Sequence, residues 1–411
     1  MKISRNRIIN LYIYFVAFLV IASTRTVWLY DYSNNMNTNR ISILISGLML
    51  MGIFINGNAL RIKKSEVKDI ALVSTLLLIY VMLTSRNRFL FSYMYALPLS
   101  LSVFYFMSLK EPYRFWIAFK NVVVALAIIS LIFFIGGTEL GIIPPTRTAT
   151  FEWAYTRTCR SFYDIYYEAQ RLKTGGSFIQ RNTGIFVEAP MYSFVLSVAL
   201  GIELFINNKS KVSTCMILVV TIITSFSTTG YLAIILLVVL YYAGKTLNTK
   251  KMTTKKIILI IAVMVACIAA FSIVGDKSTT LSGEASTTVR IDHVFACFRA
   301  FLSNPIIGTG YANTEAVLKY ANSRQGISVG LPYLLASGGL VLTLILLMPL
   351  LRKAKEALGS RNFNFLFWEF SIIFLYFFTA ITSAPLFPIL NGFMYVNTRR
   401  LESEDQNQLD L

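Results

Sequence analysis

Hydrophobic segments that approach or reach the length needed to cross a lipid bilayer recur along almost the whole chain. A transmembrane helix needs about 17–25 mostly apolar residues, and the sequence holds twelve such runs, the last of them interrupted by prolines: 8–30, 41–60, 70–84, 89–109, 117–137, 185–206, 212–226, 229–244, 257–274, 331–351, 365–382 and 384–396. None alternates between polar and apolar residues, so the pattern favours helices and excludes the strands of a membrane barrel. We therefore predict an all-α polytopic membrane protein with about 12 transmembrane helices.

Two long polar segments interrupt this series and divide the chain into five regions. We expect two large extracytoplasmic loops, each containing an amphipathic helix, at 138–184 and 275–330. An N-terminal five-helix membrane region at 1–137 precedes the first loop, and central membrane helices at 185–274 separate the two loops. C-terminal membrane helices and a cytoplasmic tail follow at 331–411.

The composition agrees with this picture, and the charge pattern orients it. Hydrophobic residues make up 55% of the chain and charged residues 14%, and the mean hydropathy of +0.62 is far above that of soluble globular proteins. Lys and Arg concentrate in alternate short segments, beginning with Lys2, Arg5 and Arg7 ahead of the first run, which we interpret as an uncleaved anchor. The positive-inside rule then predicts cytoplasmic termini and places both long loops outside. The net charge of +18 is mostly this topology signal and does not indicate nucleic-acid binding.

The basic residues of the two long loops need a different explanation, because long loops are exported largely regardless of their charge. Eight are Arg and three are Lys: Arg147, Arg157, Arg160, Arg171, Lys173, Arg181, Lys277, Arg290, Arg299, Lys319 and Arg324. Arg binds phosphate through a planar two-pronged group, whereas Lys acts as a point charge. Salt bridges with loop carboxylates can explain any single Arg, but the whole set favours an anionic ligand. We assign Lys319 and Arg324 to solvated loop surface.

The amphipathic helix of the first loop is predicted at 151–172, lying at the membrane interface. Helical spacing would place four charged residues on one of its faces: Arg157, Arg160, Asp164 and Arg171. The segment is also rich in aromatic residues: Trp153, Tyr155, Phe162, Tyr163, Tyr166 and Tyr167. They could form an interfacial aromatic belt, or a platform on which sugar rings pack, with Tyr163 and Tyr166 as substrate contacts.

The second loop has a clearer helix, which Ser286, Thr287 or Thr288 could cap and which Asn304-Pro305 should end. Its apolar residues form one stripe: Ile291, Val294, Phe295, Phe298, Phe301 and Leu302. Arg290 and His293, the only histidine, lie on another face, and His293 has either a structural or a catalytic role. Cys297 could form a disulfide with Cys159 of the first loop, or could remain a buried free thiol.

Several motifs in this order resemble those of bacterial surface-polysaccharide polymerases and O-antigen ligases. Arg181–Pro190 (RNTGIFVEAP) resembles their R-x-x-G-x-F-x-[ED]-x-P pattern at the mouth of a span. Arg290, the aromatic helix that follows it and Asn304–Gly310 (NPIIGTG) are similar to their second-loop pattern, and Ser225–Tyr231 and Ser337-Gly338-Gly339 also fit. Ligases carry a His just before the span that follows the second loop. The stretch 326–331 (GISVGL) has none, which favours a Wzy-type polymerase.

The resemblance implies an enzyme of capsule, O-antigen or exopolysaccharide biosynthesis in the bacterial cytoplasmic membrane. It would transfer a growing glycan from undecaprenyl pyrophosphate onto a lipid-linked repeat unit at the outer face, without a metal or other cofactor. A flippase and a chain-length regulator of the same pathway would be possible partners, besides the membrane lipids. The alternatives are a ligase-type glycan transferase and a polysaccharide or lipid transporter. Ionisable residues within the spans, such as Glu203 and Glu369, lie near span ends, which disfavours a transporter.

The same resemblance suggests roles for individual residues. Arg181 and Arg290 would contact the pyrophosphate, because preorganised guanidinium groups stabilise a departing anion. Substrate contacts would also come from Arg157, Arg160 and Arg299. Glu188 would act as the base or would orient Arg181, and His293 is a further candidate for direct chemistry.

Overall fold

The computed structural model describes residues 5–34, 38–56, 64–84, 95–153, 155–174, 177–207, 210–247, 281–311, 313–323, 326–381 and 384–396. The predicted span at 257–274, Lys277, Arg324 and the C-terminal tail lie outside these residues. Each of the other eleven apolar runs contains a helix. Long apolar runs without alternation therefore predicted helices reliably.

Helices and strands follow one another in an order that separates two helical regions by a group of short strands. The first helical region comprises α1 (Arg5–Ala22), α2 (Val27–Tyr30), α3 (Thr38–Asn56), α4 (Lys64–Thr84), α5 (Leu97–Ser108) and α6 (Arg114–Phe133, continued by a π turn at Phe134–Glu139). The strands are β1 (Arg147–Trp153), β2 (Tyr155–Phe162), β3 (Tyr166–Tyr167), β4 (Arg171–Thr174) and β5 (Ser177–Gln180). The second helical region comprises α7 (Ala189–Gly201, continued by a π turn at Ile202–Ile206), α8 (Val212–Thr224), α9 (Thr228–Leu247), α10 (Leu281–Ser303), α11 (Thr314–Leu318), α12 (Leu331–Gly359), α13 (Phe363–Phe378) and α14 (Leu386–Met394).

The chain is a largely helical membrane protein. By length and composition, six helices of the described ranges are able to cross a membrane: Arg5–Ala22, Thr38–Asn56, Arg114–Glu139, Ala189–Ile206, Thr228–Leu247 and Leu331–Gly359. Shorter apolar helices accompany them, among them α5, α8 and α13. The helix α7 is buried on nearly every side, as expected for a helix that is apolar all round. It forms the centre of the bundle, packed against α6, α8, α9 and α13.

The first long loop contains strands, so the helix predicted at 151–172 is wrong. β1 and β2 form an antiparallel hairpin in which Arg147 pairs with Ser161 and Trp153 with Tyr155, and β3 extends it. In β1 the side chains of Ala149 and Phe151 point to the buried side, which is the period-two pattern of a half-buried strand. Threonine and aromatic residues fit such a surface better than a helix.

In the second long loop the predicted helix is present, but it begins earlier than expected. α10 starts at Leu281, so Ser286, Thr287 and Thr288 are helical residues rather than caps. It ends at Ser303, directly before Asn304-Pro305 as predicted.

A break in α12 at Gly339 joins two sequence motifs. Gly339 has a φ of 61° and a ψ of −166°, a conformation that only glycine adopts without strain. The backbone groups freed by the break bond to the loop at 305–310. Thr309 N donates to Ala336 O at 3.0 Å and Gly310 N to Ser337 O at 2.9 Å, while Leu340 N donates to Pro305 O at 2.8 Å and Val341 N to Ile306 O at 3.0 Å. The NPIIGTG and SGG motifs therefore form one unit.

Both long loops lie at the same end of the helical bundle. Val187 N donates to Arg25 O at the end of α1, and Asn182 N donates to Thr224 O at the end of α8. α10 contacts β4 of the first loop and also the first residues of α12. The strands, the segment at 181–188 and α10 therefore surround one region, where polar side chains from both loops meet.

Candidate functional site

Arg181 is a buried arginine held by neutral groups. It follows β5 and is only 8% exposed. Its Nε donates to Ser225 O at 2.9 Å, Nη2 to Phe226 O at 3.0 Å and Nη1 to the Gln170 side-chain oxygen at 3.0 Å. Burial lowers the pKa of Arg181 to about 10, and the positive charge of Arg290 contributes. The guanidinium is therefore fixed in place while its charge is left without a directly bonded carboxylate.

Arg290 reaches the same place from the second loop. Its Nη1 donates to the Thr229 hydroxyl at 2.8 Å, at the start of α9. Arg181 bonds to Ser225 and Phe226 in the turn just before, so one short turn between α8 and α9 holds both arginines. Burial lowers the pKa of Arg290, and the negative charge of Glu188 opposes this. Each arginine thus comes from a different loop, and both approach one turn of the bundle.

Glu188 lies close to both arginines but is bonded to a third. It occupies the N-cap position of α7 in an extended conformation, without a side-chain hydrogen bond to the helix. Arg25 Nη1 forms an ion pair with Glu188 Oε1 at 3.1 Å. Arg25 also donates to Ala380 O beyond α13, and its guanidinium carbon lies 4.7 Å from the centre of the Trp153 ring. The positions of Arg25 and Glu188 are therefore mutually fixed.

The group formed by Arg25, Arg181, Arg290 and Glu188 carries more positive than negative charge. Three guanidinium groups meet one carboxylate, which acts electrostatically on both Arg181 and Arg290 and is already paired with Arg25. Buried charges are normally paired, because leaving them unpaired in a low-dielectric environment is costly. An anionic ligand with several oxygen atoms would supply the missing charge, and phosphate groups match the guanidinium geometry.

The other arginines predicted to bind substrate lie elsewhere or have other partners. Arg160 forms a two-pronged ion pair with Glu168, with Nε–Oε2 at 2.6 Å and Nη2–Oε1 at 2.8 Å. Arg157 stacks on the exposed ring of Tyr155 at 4.4 Å, and its buried Nε has no hydrogen-bond partner among the described residues. Arg299 is exposed on α10, and within the described ranges it forms no ion pair or side-chain hydrogen bond. Of these three, Arg160 is the one with a complete structural role.

The two tyrosines predicted as a sugar platform have opposite environments. Tyr163 is 61% exposed on the turn between β2 and β3. Tyr166 is fully buried, stacked on Phe133 at 6.2 Å between ring centres, and its hydroxyl lies 3.2 Å from that of Thr138. Only Tyr163 offers its ring to a ligand in this structure.

His293 connects α10 to the segment before α12. It is 1% exposed, its Nδ1 lies 2.9 Å from the Ser328 hydroxyl, and its Nε2 lies 3.2 Å from Ser323 O. The preceding residue, Asp292, accepts hydrogen bonds from the backbone of Asn322 and Ser323. Both ring nitrogens thus have protein partners, and the structure does not bring His293 into the group around Glu188.

The described part of the chain contains neither a disulfide between the loops nor a cluster of metal-ligating side chains. Cys159 and Cys297 are separate buried thiols, so the disulfide considered between the loops is not formed. Burial raises the pKa of each thiol to about 12. No group of three or more His, Cys, Asp or Glu side chains that could hold a metal ion occurs in the described part of the chain.

Three site residues were not identified as such from the sequence. Arg25 lies near the outer end of the predicted span at 8–30, where topology alone accounts for its charge. Thr229 belongs to the 225–231 motif, but the motif alone does not predict a role for the Thr229 hydroxyl. Gln170 carries no sequence signal, because its contact with Arg181 depends on how the strands fold back. Comparison with known proteins adds nothing here, since no protein-family model, no curated protein and no solved structure matches the chain.

Proposed function

We propose that this protein is a membrane glycosyltransferase of the Wzy polymerase type. It would transfer a growing glycan from undecaprenyl pyrophosphate onto a lipid-linked repeat unit at the outer face of the bacterial cytoplasmic membrane. The observation that carries the proposal is the excess of positive charge around Arg181, which is buried, and Arg290, which is half-buried. The resemblance of the 181–190 and 304–310 motifs to that family suggests that the ligand of this positive charge is the pyrophosphate of a lipid-linked glycan.

The proposed chemistry requires little beyond orientation and charge stabilisation. A hydroxyl oxygen of the acceptor sugar attacks the anomeric carbon of the donor, and the bond from that carbon to the pyrophosphate oxygen breaks. Negative charge develops on the leaving pyrophosphate, next to Arg181 and Arg290, which stabilise it more strongly than the ground state. The hydroxyl proton passes to Glu188 or to the pyrophosphate. No metal or other cofactor takes part in this scheme.

The pairing of Glu188 with Arg25 bears on its role as a base. Arg25 would keep the Glu188 carboxylate in a fixed orientation through their ion pair. An equally simple role for Glu188 is to hold the three arginines at a common distance from the substrate.

The membrane placement belongs to the same proposal. We expect about 12 transmembrane helices, cytoplasmic termini and both long loops outside, where lipid-linked glycans are exposed. Those glycans and the surrounding lipids would be its ligands. A flippase and a chain-length regulator would act in the same pathway.

One observation disfavours the ligase alternative and one supports it. Ligases of the family carry a His just before the span after the second loop, and this chain has none at 326–331. In support of a ligase, the His293 side chain on α10 lies within hydrogen-bond distance of Ser328 in that stretch. Because His293 is buried and both of its nitrogens are bonded, we favour the polymerase.

A deletion strain distinguishes the two enzymes. Loss of the polymerase should leave surface glycans of a single repeat unit, provided that a separate ligase is present. Reintroduction of the gene should restore long chains, as seen on glycan gels. Accumulation of long polymer on undecaprenyl pyrophosphate in the deletion strain would instead identify a ligase. Unchanged surface glycan would refute both.

A further inference from the structure

One face of α10 is apolar and uncovered in the structure. Ile291, Phe295, Phe298 and Leu302 are 49%, 58%, 54% and 60% exposed. Their spacing of four, three and four residues places them within about 60° of the helix circumference. We call this set the α10 stripe. Aromatic and aliphatic side chains in a continuous row are costly to leave in water.

Within the described part of the chain the stripe stays uncovered, because α10 uses its opposite side for packing. His293, Ala296, Cys297 and Ala300 are buried. Cys297 and Ala300 pack in a small core with Val317 of α11 and with Tyr333 and Ala336 of α12. At 3.6 residues per turn, this buried side is centred roughly 180° from the stripe. The helix is therefore apolar on two opposite sides, and only one of them is satisfied internally.

The α10 stripe continues onto a helix able to cross the membrane. Ile306, three residues beyond α10, is 65% exposed, and its carbonyl accepts the hydrogen bond from Val341 N. From there α12 exposes a row of apolar residues, with Leu340 at 46%, Leu344 at 57% and Met348 at 60%. Because acyl chains surround a membrane-crossing helix, an exposed surface continuous with it points to the same surroundings.

The charges beside the stripe agree with an interfacial position. Arg299 is exposed and lies about 80° around the helix from Ile291. Its long side chain can extend to lipid phosphates while its stem stays among apolar groups. Asp292 lies on the same flank, where its carboxylate is held by hydrogen bonds from the backbone of Asn322 and Ser323. Anionic phosphate is the group that complements Arg299.

We propose that the α10 stripe lies in the acyl-chain region of the lipid bilayer, with Arg299 at the level of the lipid phosphates. A helix of this kind typically buries its apolar face about 5–10 Å into the boundary between headgroups and chains. Arg290 lies on the other flank, about 100° from Ile291. The membrane would then fix the height of Arg290 at the depth where a lipid-linked phosphate is found. The inference requires membrane insertion but does not require glycan transfer.

Spin labels in lipid nanodiscs test this directly. In a variant with all four cysteines replaced by alanine, single cysteines at Phe295 and Phe298 would be labelled. Collisions with oxygen, which concentrates in lipid, would be compared with collisions with a water-soluble nickel chelate. Leu344→Cys serves as the lipid-facing reference and the exposed Lys319→Cys as the water-facing one.

We expect the labels at 295 and 298 to match Leu344→Cys, with high oxygen and low nickel accessibility. Nickel accessibility like that of Lys319→Cys would overturn the proposal, because the stripe would lie in water. An immobilised label that neither reagent reaches would also overturn it, because a protein partner would cover the stripe. If the cysteine-free variant does not fold, Phe298→Trp in the native chain should show added fluorescence quenching by brominated lipids. No added quenching would contradict the proposal.

Discussion

The two loop regions use arginine in different ways. In the strand region, Arg147 forms ion pairs with Asp31 and Asp164, each at 2.7 Å, and Arg160 forms an ion pair with Glu168. In the region between the loops, Arg181 bonds two backbone carbonyls and an amide, and Arg290 bonds a hydroxyl. The first set is neutralised by carboxylates, whereas the second is oriented by neutral oxygen atoms.

This difference separates structural from functional positive charge. A carboxylate partner largely neutralises the charge of an arginine, because the two opposite charges attract each other more strongly than either attracts a ligand. Carbonyl, amide and hydroxyl partners fix the guanidinium but leave a full positive charge for a ligand. The distinction could not be drawn from composition, because both kinds of arginine lie in the same long polar segments.

The comparison assumes that both regions lie on the same side of the membrane, and this assumption has an all-or-none test. Reporter fusions at residues 165 and 310 should both be active only as extracytoplasmic reporters. A fusion after Leu247, at the end of α9, should give the opposite result and serves as the control. Cytoplasmic activity at 165 or 310 would separate the two regions and remove the shared site.

Substitutions at Arg181 and Arg290 should have the next largest effect. Arg181→Lys and Arg290→Lys each lose a contact that strengthens as the leaving group departs, so the rate should fall on the order of 10²–10³-fold. Lysine should be nearly as harmful as alanine, because it cannot reproduce the two-pronged geometry. The measurement is polymer length in a complemented deletion strain, with turnover of lipid-linked repeat units by purified protein.

The matched control for these variants is Lys319→Ala, an exposed cation at the end of α11. It should leave polymer length unchanged. Membrane expression and thermal unfolding must be checked for every variant, because Arg181 also supports a buried turn. Full-length polymer from a well-expressed Arg181→Lys or Arg290→Lys protein would remove that residue from the site.

Breaking the Arg160–Glu168 pair should lower the stability of the fold without changing the charge around Arg181 and Arg290. After Arg160→Ala, the buried Glu168 carboxylate keeps one hydrogen-bond partner among the described residues, the Thr138 hydroxyl, which donates to Oε1 at 2.9 Å. We expect a loss of about 1–3 kcal/mol in unfolding free energy. Because Arg160 is half exposed, solvent screening favours the lower part of that range.

A double-variant cycle sharpens this expectation. Arg160→Met combined with Glu168→Gln removes both charges and should be more stable than Arg160→Met alone. Thermal unfolding in detergent micelles measures each member of the cycle. Additive losses would show that the two side chains do not stabilise each other, and would weaken the division between the two kinds of arginine.

Much of the helical fold was predictable, because apolar runs without alternation leave few alternatives to a helix. The strand region was not. Arg157, Arg160 and Arg171 fit a helical period by chance, while the β1–β2 hairpin is stabilised by distant contacts such as the bridge from Asp31 to Phe151. The start of α10 was also misplaced, since several consecutive Ser and Thr residues resemble a cap without being one.

Some residues of the candidate site were predictable because they belong to recognisable sequence motifs. Arg181, Glu188 and Arg290 belong to motifs, and in the structure they lie close enough to interact electrostatically. Their partners could not be predicted, because Arg25 and Gln170 are close only in the folded chain. The burial of Tyr166 and His293 could not be predicted either, because a loop sequence does not show which side of the folded loop an aromatic or polar residue occupies.

The smallest expected effect is a pH dependence in the strand region. Burial alone would raise the pKa of Asp31, but hydrogen bonds from Ser33 and Arg147 outweigh it and hold the pKa below its usual range. A carboxyl whose pKa is lower in the folded state stabilises the fold above its unfolded pKa, about 3.9 for Asp. That contribution is lost as the pH falls through the folded-state value. Thermal stability should therefore decline below about pH 4, and less steeply in Asp31→Asn. Parallel curves for the two proteins would show that the Asp31–Arg147 pair contributes no net stabilisation, and that carboxylate pairing is not what distinguishes the strand region.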